Sequence, residues 1–307
     1  MIIEYTNSLS GKLYLALKPD FRCKKCFRTG FKKFVAMAGL SDKEYNNYIS
    51  MVDEALKAEH PPPLAGREAW ALLKKESKVG NDIFASEKAF FTKELLKYYD
   101  GVKNSFIAAG SPHFRALSAS TWCNLIDVGQ GKPLPGIQEL LNLFSSPLFL
   151  DERELFLENL KNASTLLVLG DNAGETVFDR LFLDLINFSG KVYYMTRGEP
   201  VMNDATVADA ELAGLHNVVE IVSSNSDIPG FIPSYVSGKA KSIYNSADII
   251  LSKGQGNLEG LLGKNDQRVY FSFVVKCDVV SDAVNVPLGS GVFSRFLNVK
   301  GNNYADL

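Results

Sequence analysis

Histidine and cysteine are both scarce in this sequence. Its 307 residues contain three histidines and four cysteines, and His60, His113 and His216 lie far apart. Zinc hydrolases generally use two or three imidazole ligands, so this composition argues against such an enzyme. Four cysteines are also too few for a disulfide scaffold of this length. A catalytic metal would therefore take mainly oxygen ligands, which favours Mg, Mn or a similar cation.

The sequence also lacks a charge excess and a long apolar segment. Lys and Arg number 33 against 35 Asp and Glu, for a formal net charge of −2, which argues against a nucleic-acid-binding protein with a basic face. No apolar run approaches the roughly 18 residues of a membrane span. The segment MIIEYTNSLSGK (1–12) has neither the basic nor the apolar region of a signal peptide. We therefore expect a soluble, cytoplasmic protein with neither nucleic-acid nor membrane partners.

The two halves of the sequence follow different patterns. In the first half, Phe27, Phe31 and Phe34 recur at helical spacing, and Ser41 with Glu44 forms a capping box. From residue 165 onward, short apolar runs and amphipathic segments alternate, which is typical of a parallel sheet with helices on both faces. We predict an α/β protein with an α-helical domain at 1–162 and an α/β domain at 163–307. The predicted strands are TLLVL (165–169), KVYYMT (191–196), NVVEIV (217–222), ADIIL (247–251) and RVYFSFVV (268–275).

Each predicted strand is followed by a polar loop. In a parallel sheet these loops share one edge, and ligands bind in the crevice outside the carboxyl ends of the strands. Four of the five loops contain a carboxylate, and Lys253 and Lys276 add cations. This composition suits an oxygen-ligated metal that faces an anionic substrate. The loops are GDNAGE (170–175), RGEPVMND (197–204), SSNSD (223–227), SKGQGN (252–257) and KCD (276–278).

Asp171, Asn172 and Asp204 are candidate metal ligands at two neighbouring strand ends. A carboxylate and an amide oxygen can coordinate a hard cation, and Gly170 and Gly174 allow the backbone to turn sharply. The alternatives are an Asx turn for Asp171-Asn172 and a helix N-cap for Asp204. Two acids at neighbouring strand ends can nevertheless converge on one ion.

The segment KGQGN (253–257) places a lysine on a glycine-rich turn between a predicted strand and a helix. Its backbone N–H groups could cradle a phosphate, with Lys253 as a point charge. The residue order is not that of the P-loop, because G-x-x-x-x-G-K-[ST] does not occur in this sequence. A flexible surface turn is the alternative interpretation.

Two further pairs lie in the helical half. Cys23-x-x-Cys26 could be half of a structural zinc site, but a second C-x-x-C pair is missing, and two buried thiols explain the motif equally well. Asn124 and Asp127 are three residues apart, so a helix would place them on one face. By composition alone, that face is a solvated one.

Together these segments resemble the metal-dependent damage-control phosphatases, a family long catalogued as a domain of unknown function (DUF89). The order, spacing and strand-end setting of four segments carry the resemblance, which spans roughly residues 23–277. Cys23-x-x-Cys26 and Asn124-Leu-Ile-Asp127 resemble the prokaryotic branch with extra cysteines. The four segments are GDNAGE (170–175), NDAT (203–206), KGQGN (253–257) and Lys276-Cys277.

The resemblance implies a helical domain on a three-layer α/β/α Rossmann-like domain, with a divalent metal (Mn, Ni, Co or Mg) as cofactor. It implies phosphatase activity on small phosphorylated metabolites, such as sugar phosphates, damaged or side-product metabolites, phosphopantetheine-like compounds or nucleotides. Asp171, Asn172 and Asp204 match the family's metal ligands, and Lys253 matches its phosphate-binding lysine. The hypothesis thus makes Asp171 and Lys253 catalytic, Asp171, Asn172 and Asp204 metal-binding, and Asn124, Asp127, Lys253, Gly254 and Gly256 substrate-binding.

Two positions depart from the family pattern. Arg22 stands where an acid often precedes the first cysteine, and Phe231 replaces a small hydroxyl residue. Both departures bear on the substrate and not on the reaction type.

The same residues allow two other functions, and they leave the nucleophile of a phosphatase undefined. LLVLGDNAGE (166–175) superficially resembles the nucleotide loop of an S-adenosylmethionine-dependent methyltransferase, although it lacks a full G-x-G-x-x-G. A metal- or phosphometabolite-binding module without turnover is a third reading of the same residues. For a phosphatase, either water or a carboxylate such as Asp171 could attack the phosphorus.

Overall fold

The strands of the described residues form two sheets, a short antiparallel pair and a seven-stranded, mainly parallel sheet. The computed structural model describes residues 2–6, 13–127, 136–295 and 297. The strands are β1 (Ile2–Thr6), β2 (Leu13–Leu17), β3 (Leu150–Asp151), β4 (Thr165–Leu169), β5 (Lys191–Thr196), β6 (Glu220–Ser223), β7 (Ile249–Lys253), β8 (Val269–Val274) and β9 (Gly291–Ser294).

Helices fill most of the first half and cover both faces of the large sheet. Ser41 and Glu44 form the predicted capping box before α2. The helices are α1 (Phe21–Met37), α2 (Asp42–Lys57), α3 (Pro62–Ala65), α4 (Arg67–Glu76), α5 (Ala85–Leu96), α6 (Tyr99–Ala108), α7 (Pro112–Cys123), α8 (Ile137–Leu143), α9 (Arg153–Leu160), α10 (Thr176–Leu185), α11 (Val207–Leu212), α12 (Gly238–Ser246), α13 (Gly254–Leu261) and α14 (Asp278–Val284).

The large sheet confirms the predicted α/β fold class. Its strand order is β3-β9-β8-β7-β4-β5-β6, and β4 pairs in parallel with both β5 and β7. The chain moves from β4 to one side through β5 and β6, and to the other side through β7 and β8. This reversal makes the carboxyl ends of β4 and β7 a topological switch point, where a crevice opens in sheets of this kind.

Two apolar cores lie on opposite faces of the large sheet. On one face, α7 and α10 pack together, and the core includes Phe178, Phe182 and Tyr270. On the other face, α12, α13 and α14 contribute to a core that includes Leu258 and Val280. A sheet buried on both faces accounts for the nearly continuous apolar sequences of β4, β7 and β8.

The first half contains strands that the sequence analysis did not predict. β1 and β2 pair antiparallel over five residues each, and β2 packs against α13 with Leu17 fully buried. A short isolated hairpin is marginal in water. Packing against α13 therefore stabilises this strand pair. Because that contact is distant in sequence, the local pattern of residues 2–17 does not predict the strands.

The helical half and the sheet share packing. α7 contacts α10 and β8, and β3, which precedes residue 162, pairs with β9 in the large sheet. The division of the chain at residues 162 and 163 stays a prediction. Within the described residues, no helix is long and apolar enough to cross a membrane.

Candidate functional site

Two loops at the carboxyl edge of the sheet bring Asp171 and Asp204 together. Asp171 follows β4, Asp204 follows β5, and Asn172 forms an antiparallel bridge with Asp204. The backbone N–H of Ala205 donates to the Asp171 carbonyl at 2.7 Å. The positions of these candidate ligands are therefore set by main-chain hydrogen bonds between neighbouring loops, so they do not depend on side-chain rotamers alone.

The Arg197 guanidinium lies close to the carboxylates of both Asp171 and Asp204. Its Nε donates to Asp204 Oδ2 at 2.5 Å, and its Nη2 lies 3.6 Å from Asp171 Oδ1. The same Nη2 donates to Asn257 Oδ1 at 2.9 Å. Because Asn257 donates in turn to the carbonyls that end β4 and β7, Arg197 is anchored across three strands. This guanidinium is only 2% exposed.

Burial shifts the ionisation of both acids. Desolvation raises the pKa of Asp204 to about 7, against the opposing effect of Arg197. It also raises the pKa of Asp171, although Lys276 and Arg197 act in the opposite direction. Carboxylates whose charge is incompletely compensated in a buried site favour a further cation.

Asn124, at the end of α7, lies directly against Asp171. Its Nδ2 donates to Asp171 Oδ2 at 2.9 Å and to Glu175 Oε2 at 2.8 Å. Its Oδ1 accepts from the Val274 N–H at 3.2 Å, and the residue is fully buried. Both amide hydrogens are thus engaged by protein carboxylates, and direct contact between Asn124 and a substrate stays a prediction.

Lys253 ends β7 with its ammonium group inside the protein. Its Nζ donates to Asp179 Oδ1 at 2.8 Å and to the Ser120 carbonyl at 3.0 Å, and Glu175 Oε1 lies 3.5 Å away. Burial lowers the pKa of Lys253, but Asp179 and Glu175 outweigh this and raise it above its ordinary value. All of these contacts are with α7 and α10, and contact with a phosphate stays a prediction.

The first turn of α13 reaches Asp171 through its backbone. Gly254 has a φ of +75°, and a Cβ added there would lie 1.8 Å from Asp171 Oδ2. Gly256 is less restricted, since its nearest neighbour would be the Pro229 carbonyl at 3.3 Å. Glycine at 254 therefore lets the first backbone turn of α13, whose N–H groups have no partner within the helix, approach the candidate metal ligands.

Lys276 faces the same site from the end of β8. Its Nζ donates to Asp127 Oδ2 at 2.9 Å, and its backbone N–H donates to Gln255 Oε1 at 3.1 Å. Burial lowers the pKa of Lys276, whereas Asp127 and Asp171 raise it by a larger amount. The structure thus places a charged amine and the predicted Asp127 beside the candidate metal ligands.

The donor set suits a hard divalent cation. Asp171 and Asp204 offer carboxylate oxygens and Asn172 an amide oxygen, the ligand types preferred by Mg and Mn. Among the described residues, no group of three or more His, Cys, Asp or Glu side chains is arranged to hold a metal, so a site here relies on two carboxylates with amide or other oxygen donors. Charge is consistent with the fit, because the ion-paired network contains five carboxyl groups and only three cations. Burial raises the pKa of Asp204 to about 7 and that of Glu175 to about 8, so a further cation would favour the ionised forms of these groups. The network comprises Asp127, Asp171, Glu175, Asp179 and Asp204 with Arg197, Lys253 and Lys276.

The cysteine pair lies at the start of α1. Cys23 is buried and Cys26 is exposed, and burial raises the pKa of the Cys23 thiol. Cys277 accepts a hydrogen bond from Gln255 Nε2 at 3.3 Å. Zinc binding by the cysteines stays a prediction.

The two positions that depart from the family pattern also have defined surroundings. Phe231 is buried, and its ring lies 4.9 Å from that of Tyr244. Arg22 pairs with Asp20 and Asp282 at the start of α1. Phe231 therefore contributes to the core, and Arg22 links α1 to α14.

The sequence pattern predicts no role for Arg197, Glu175 or Asn203. Arg197 and Glu175 are buried charged residues at strand and helix ends, and Asn203 Nδ2 donates to Asn172 Oδ1 at 2.6 Å. Their only sequence signal was their position within the loops after β4 and β5. Side-chain packing decides which polar residues of a loop point into the protein. The spacing of residues in the sequence does not define that packing.

Known proteins resemble this chain in both sequence and structure. Residues 21–292 match the damage-control phosphatase ARMT1-like domain. The chain is 34% identical over 288 residues to a damage-control phosphatase of Pyrococcus horikoshii, covering 91% of this chain and 98% of that protein. It is 30% identical over 243 residues to an uncharacterized protein of Methanocaldococcus jannaschii, covering 76% of this chain and 80% of that protein. The crystal structure of a DUF89 family protein from P. horikoshii superposes with a TM-score of 0.78 at 26% identity, covering 91% of this chain and 99% of that chain.

Proposed function

The chain belongs to the damage-control phosphatase ARMT1-like family, and from this premise we propose that it is a divalent-metal-dependent phosphatase of small phosphorylated metabolites. Family membership supports the phosphatase activity itself. Metal dependence and the substrate class are our proposals from the site. A cytoplasmic location and the lack of nucleic-acid partners stay predictions from composition.

One observation carries the metal-dependent part of the proposal. Asp171 follows β4 at the switch point of the sheet, and Asp204 follows the neighbouring strand β5. Backbone hydrogen bonds join the two loops. Both carboxylates are buried, with pKa values raised by desolvation. Asp171, Asn172 and Asp204 would hold the cation, which when bound supplies charge neutralisation and polarisation of a phosphoryl oxygen.

The remaining polar groups of the site would position the phosphate. The backbone N–H groups at the start of α13, at Gly254 and Gly256, would donate to phosphate oxygens. Lys276 adds a positive charge at the same edge and is held in place by Asp127. Phosphoryl transfer depends mainly on positioning and on stabilising charge, and these groups supply both.

The substrate class follows from what surrounds the phosphate position. Asp127 beside Lys276 offers a carboxylate that can accept hydrogen bonds from hydroxyl groups. Sugar phosphates combine a phosphate with several hydroxyls, so they are the first compounds to test. Phosphopantetheine-like compounds and nucleotides complete the proposed set.

A phosphate-release screen tests the proposal. The purified protein is incubated with sugar phosphates, phosphopantetheine-like compounds and nucleotides, each with Mn, Ni, Co or Mg and with a chelator. We expect release that requires a divalent cation and is lost in the Asp171→Asn variant. Equilibrium binding without release would instead support a binding module, and methyl transfer from S-adenosylmethionine would support the methyltransferase alternative.

A further inference from the structure

The most buried cation of the structure has no role in the chemistry proposed above. The Lys253 side chain has no exposed surface, yet it sits in the motif that suggested a phosphate cradle. Its ammonium contacts Asp179, the Ser120 carbonyl and Glu175. Burying an ammonium group costs folding free energy unless its partners are well placed. The contacts around Lys253 are therefore the basis for inferring its role.

The network around Lys253 holds Asp179 in one arrangement. Ser120 Oγ donates to Asp179 Oδ1 at 2.5 Å, and the Tyr194 hydroxyl donates to Asp179 Oδ2 at 2.7 Å. Lys253 Nζ completes the set on Oδ1. The contacts join α7, α10, β5 and β7, which fixes the ammonium group relative to α10.

From Lys253, contacts lead back to the candidate metal site. Lys253 Nζ lies 3.5 Å from Glu175 Oε1, an oxygen with no hydrogen-bond partner among the described residues. Glu175 Oε2 accepts from Asn124 Nδ2, and the same Nδ2 donates to Asp171 Oδ2. The side chains of Glu175 and Asn124 thus stand between Lys253 and Asp171.

We propose that Lys253 is a positioning residue that orients Asp171 for metal binding through Glu175 and Asn124, and that it does not touch the phosphate. The inference rests on the proposed function, because it takes Asp171 as a metal ligand. Groups that orient metal ligands in this way typically change metal affinity or activity by about 10- to 100-fold when they are removed.

The test measures metal and phosphate binding separately in the full-length protein. Lys253→Met keeps an unbranched side chain of nearly the same length and removes its charge. We expect the dissociation constant for Mn, measured by calorimetry, to rise about 10- to 100-fold, while the affinity for inorganic phosphate at saturating Mn stays within about twofold of wild type. With a hydrolysed ester, saturating Mn should restore KM. Weaker phosphate binding at saturating Mn with unchanged Mn affinity would overturn the proposal and make Lys253 a phosphate ligand.

A matched control separates positioning from a general loss of stability. Arg153 is another buried cation in an ion pair, with Asp151 at 2.6 Å, and it lies beside β3 at the far edge of the sheet. Arg153→Met should lower stability and leave Mn affinity unchanged. Lys253→Met leaves the buried Asp179 carboxylate without a cation. A Lys253→Met/Asp179→Asn double variant removes both charges and provides a second protein for the same titration.

A double-variant cycle tests the route through Asn124. If Lys253 acts through that amide, Lys253→Met should weaken Mn binding much less in an Asn124→Ala background than in the wild type. Fully additive effects would overturn the route. Failure of the proposed function is a different result, namely wild-type protein that releases no phosphate with any cation, and the Mn titrations do not depend on it.

Discussion

Replacement of Gly254 by alanine tests the close approach of α13 to Asp171. A Cβ at residue 254 would lie 1.8 Å from Asp171 Oδ2 and 2.2 Å from its Cγ. Ordinary contacts between heavy atoms are at roughly 3.5 Å. Either the Asp171 carboxylate or the first turn of α13 must therefore move by more than about 1 Å.

Two effects of the alanine can be separated in magnitude. A non-glycine residue at a φ of +75° costs about 1–2 kcal/mol in folding free energy. Displacement of a catalytic group by about 1 Å costs on the order of 100-fold in rate. Gly254→Ala should therefore lower kcat/KM by about 100-fold at limiting Mn, beyond its effect on stability.

Gly110→Ala is the matched control for this substitution. Gly110 has nearly the same φ, +76°, and a Cβ there meets nothing within 4 Å. It should carry the same backbone strain and keep the activity of the wild type. Urea unfolding measures the strain in both variants, and phosphate release at several Mn concentrations measures the activity. Wild-type activity in Gly254→Ala, or equal loss in both variants, would refute the assigned contact.

Three further predictions concern other positions. Asp171→Asn and Asp204→Asn should each reduce kcat/KM by about 100-fold or more at limiting metal and retain a cooperative unfolding transition, and full activity in either would contradict the ligand assignment. Burial raises the pKa of Glu259 from 4.5 to about 7, so its stabilising protonation is complete below pH 4.5 and lost as the pH rises through 7. Glu259→Gln should therefore exceed wild type in unfolding free energy by about 3 kcal/mol at pH 8.5, and the two proteins should unfold alike at pH 4. Cys26→Ser should change the unfolding free energy by less than about 0.5 kcal/mol, and elemental analysis that finds a metal in the wild type but not in this variant would support zinc binding by the cysteines.

The sequence predicts the bounds of β4 and β5 correctly, because short apolar runs flanked by polar loops mark parallel strands. β7, which is buried along its whole length, begins two residues later than predicted and includes Lys253. β6 begins later than predicted, since residues 215–217 form a 3₁₀ turn. β3 has only two residues and is a strand because it pairs with β9. Since β9 is distant in sequence, the local pattern around residue 150 does not predict this strand.

Convergence of Asp171 and Asp204 was predictable because parallel strands place their carboxyl ends at one edge of the sheet. The bond from Ala205 N–H to the Asp171 carbonyl then makes the two loops one unit. The role of Arg197 was not predictable in the same way. A guanidinium at a strand end can extend into solvent or turn beneath the loops, and only the acceptors at Asp204 and Asn257 select the second arrangement.

Lys253 and Gly254 are adjacent in one sequence motif but have different structural roles. Successive side chains of a strand point to opposite faces of a sheet, and Lys253, the last residue of β7, directs its ammonium toward α7 and α10. The chain then turns at Gly254 with a positive φ, which carries the backbone to Asp171 on the crevice side. The sequence spacing places both residues at the end of β7. It does not define which face of the sheet each residue contacts. The side-chain charge therefore supports the site from the interior, while the glycine backbone forms part of the site surface.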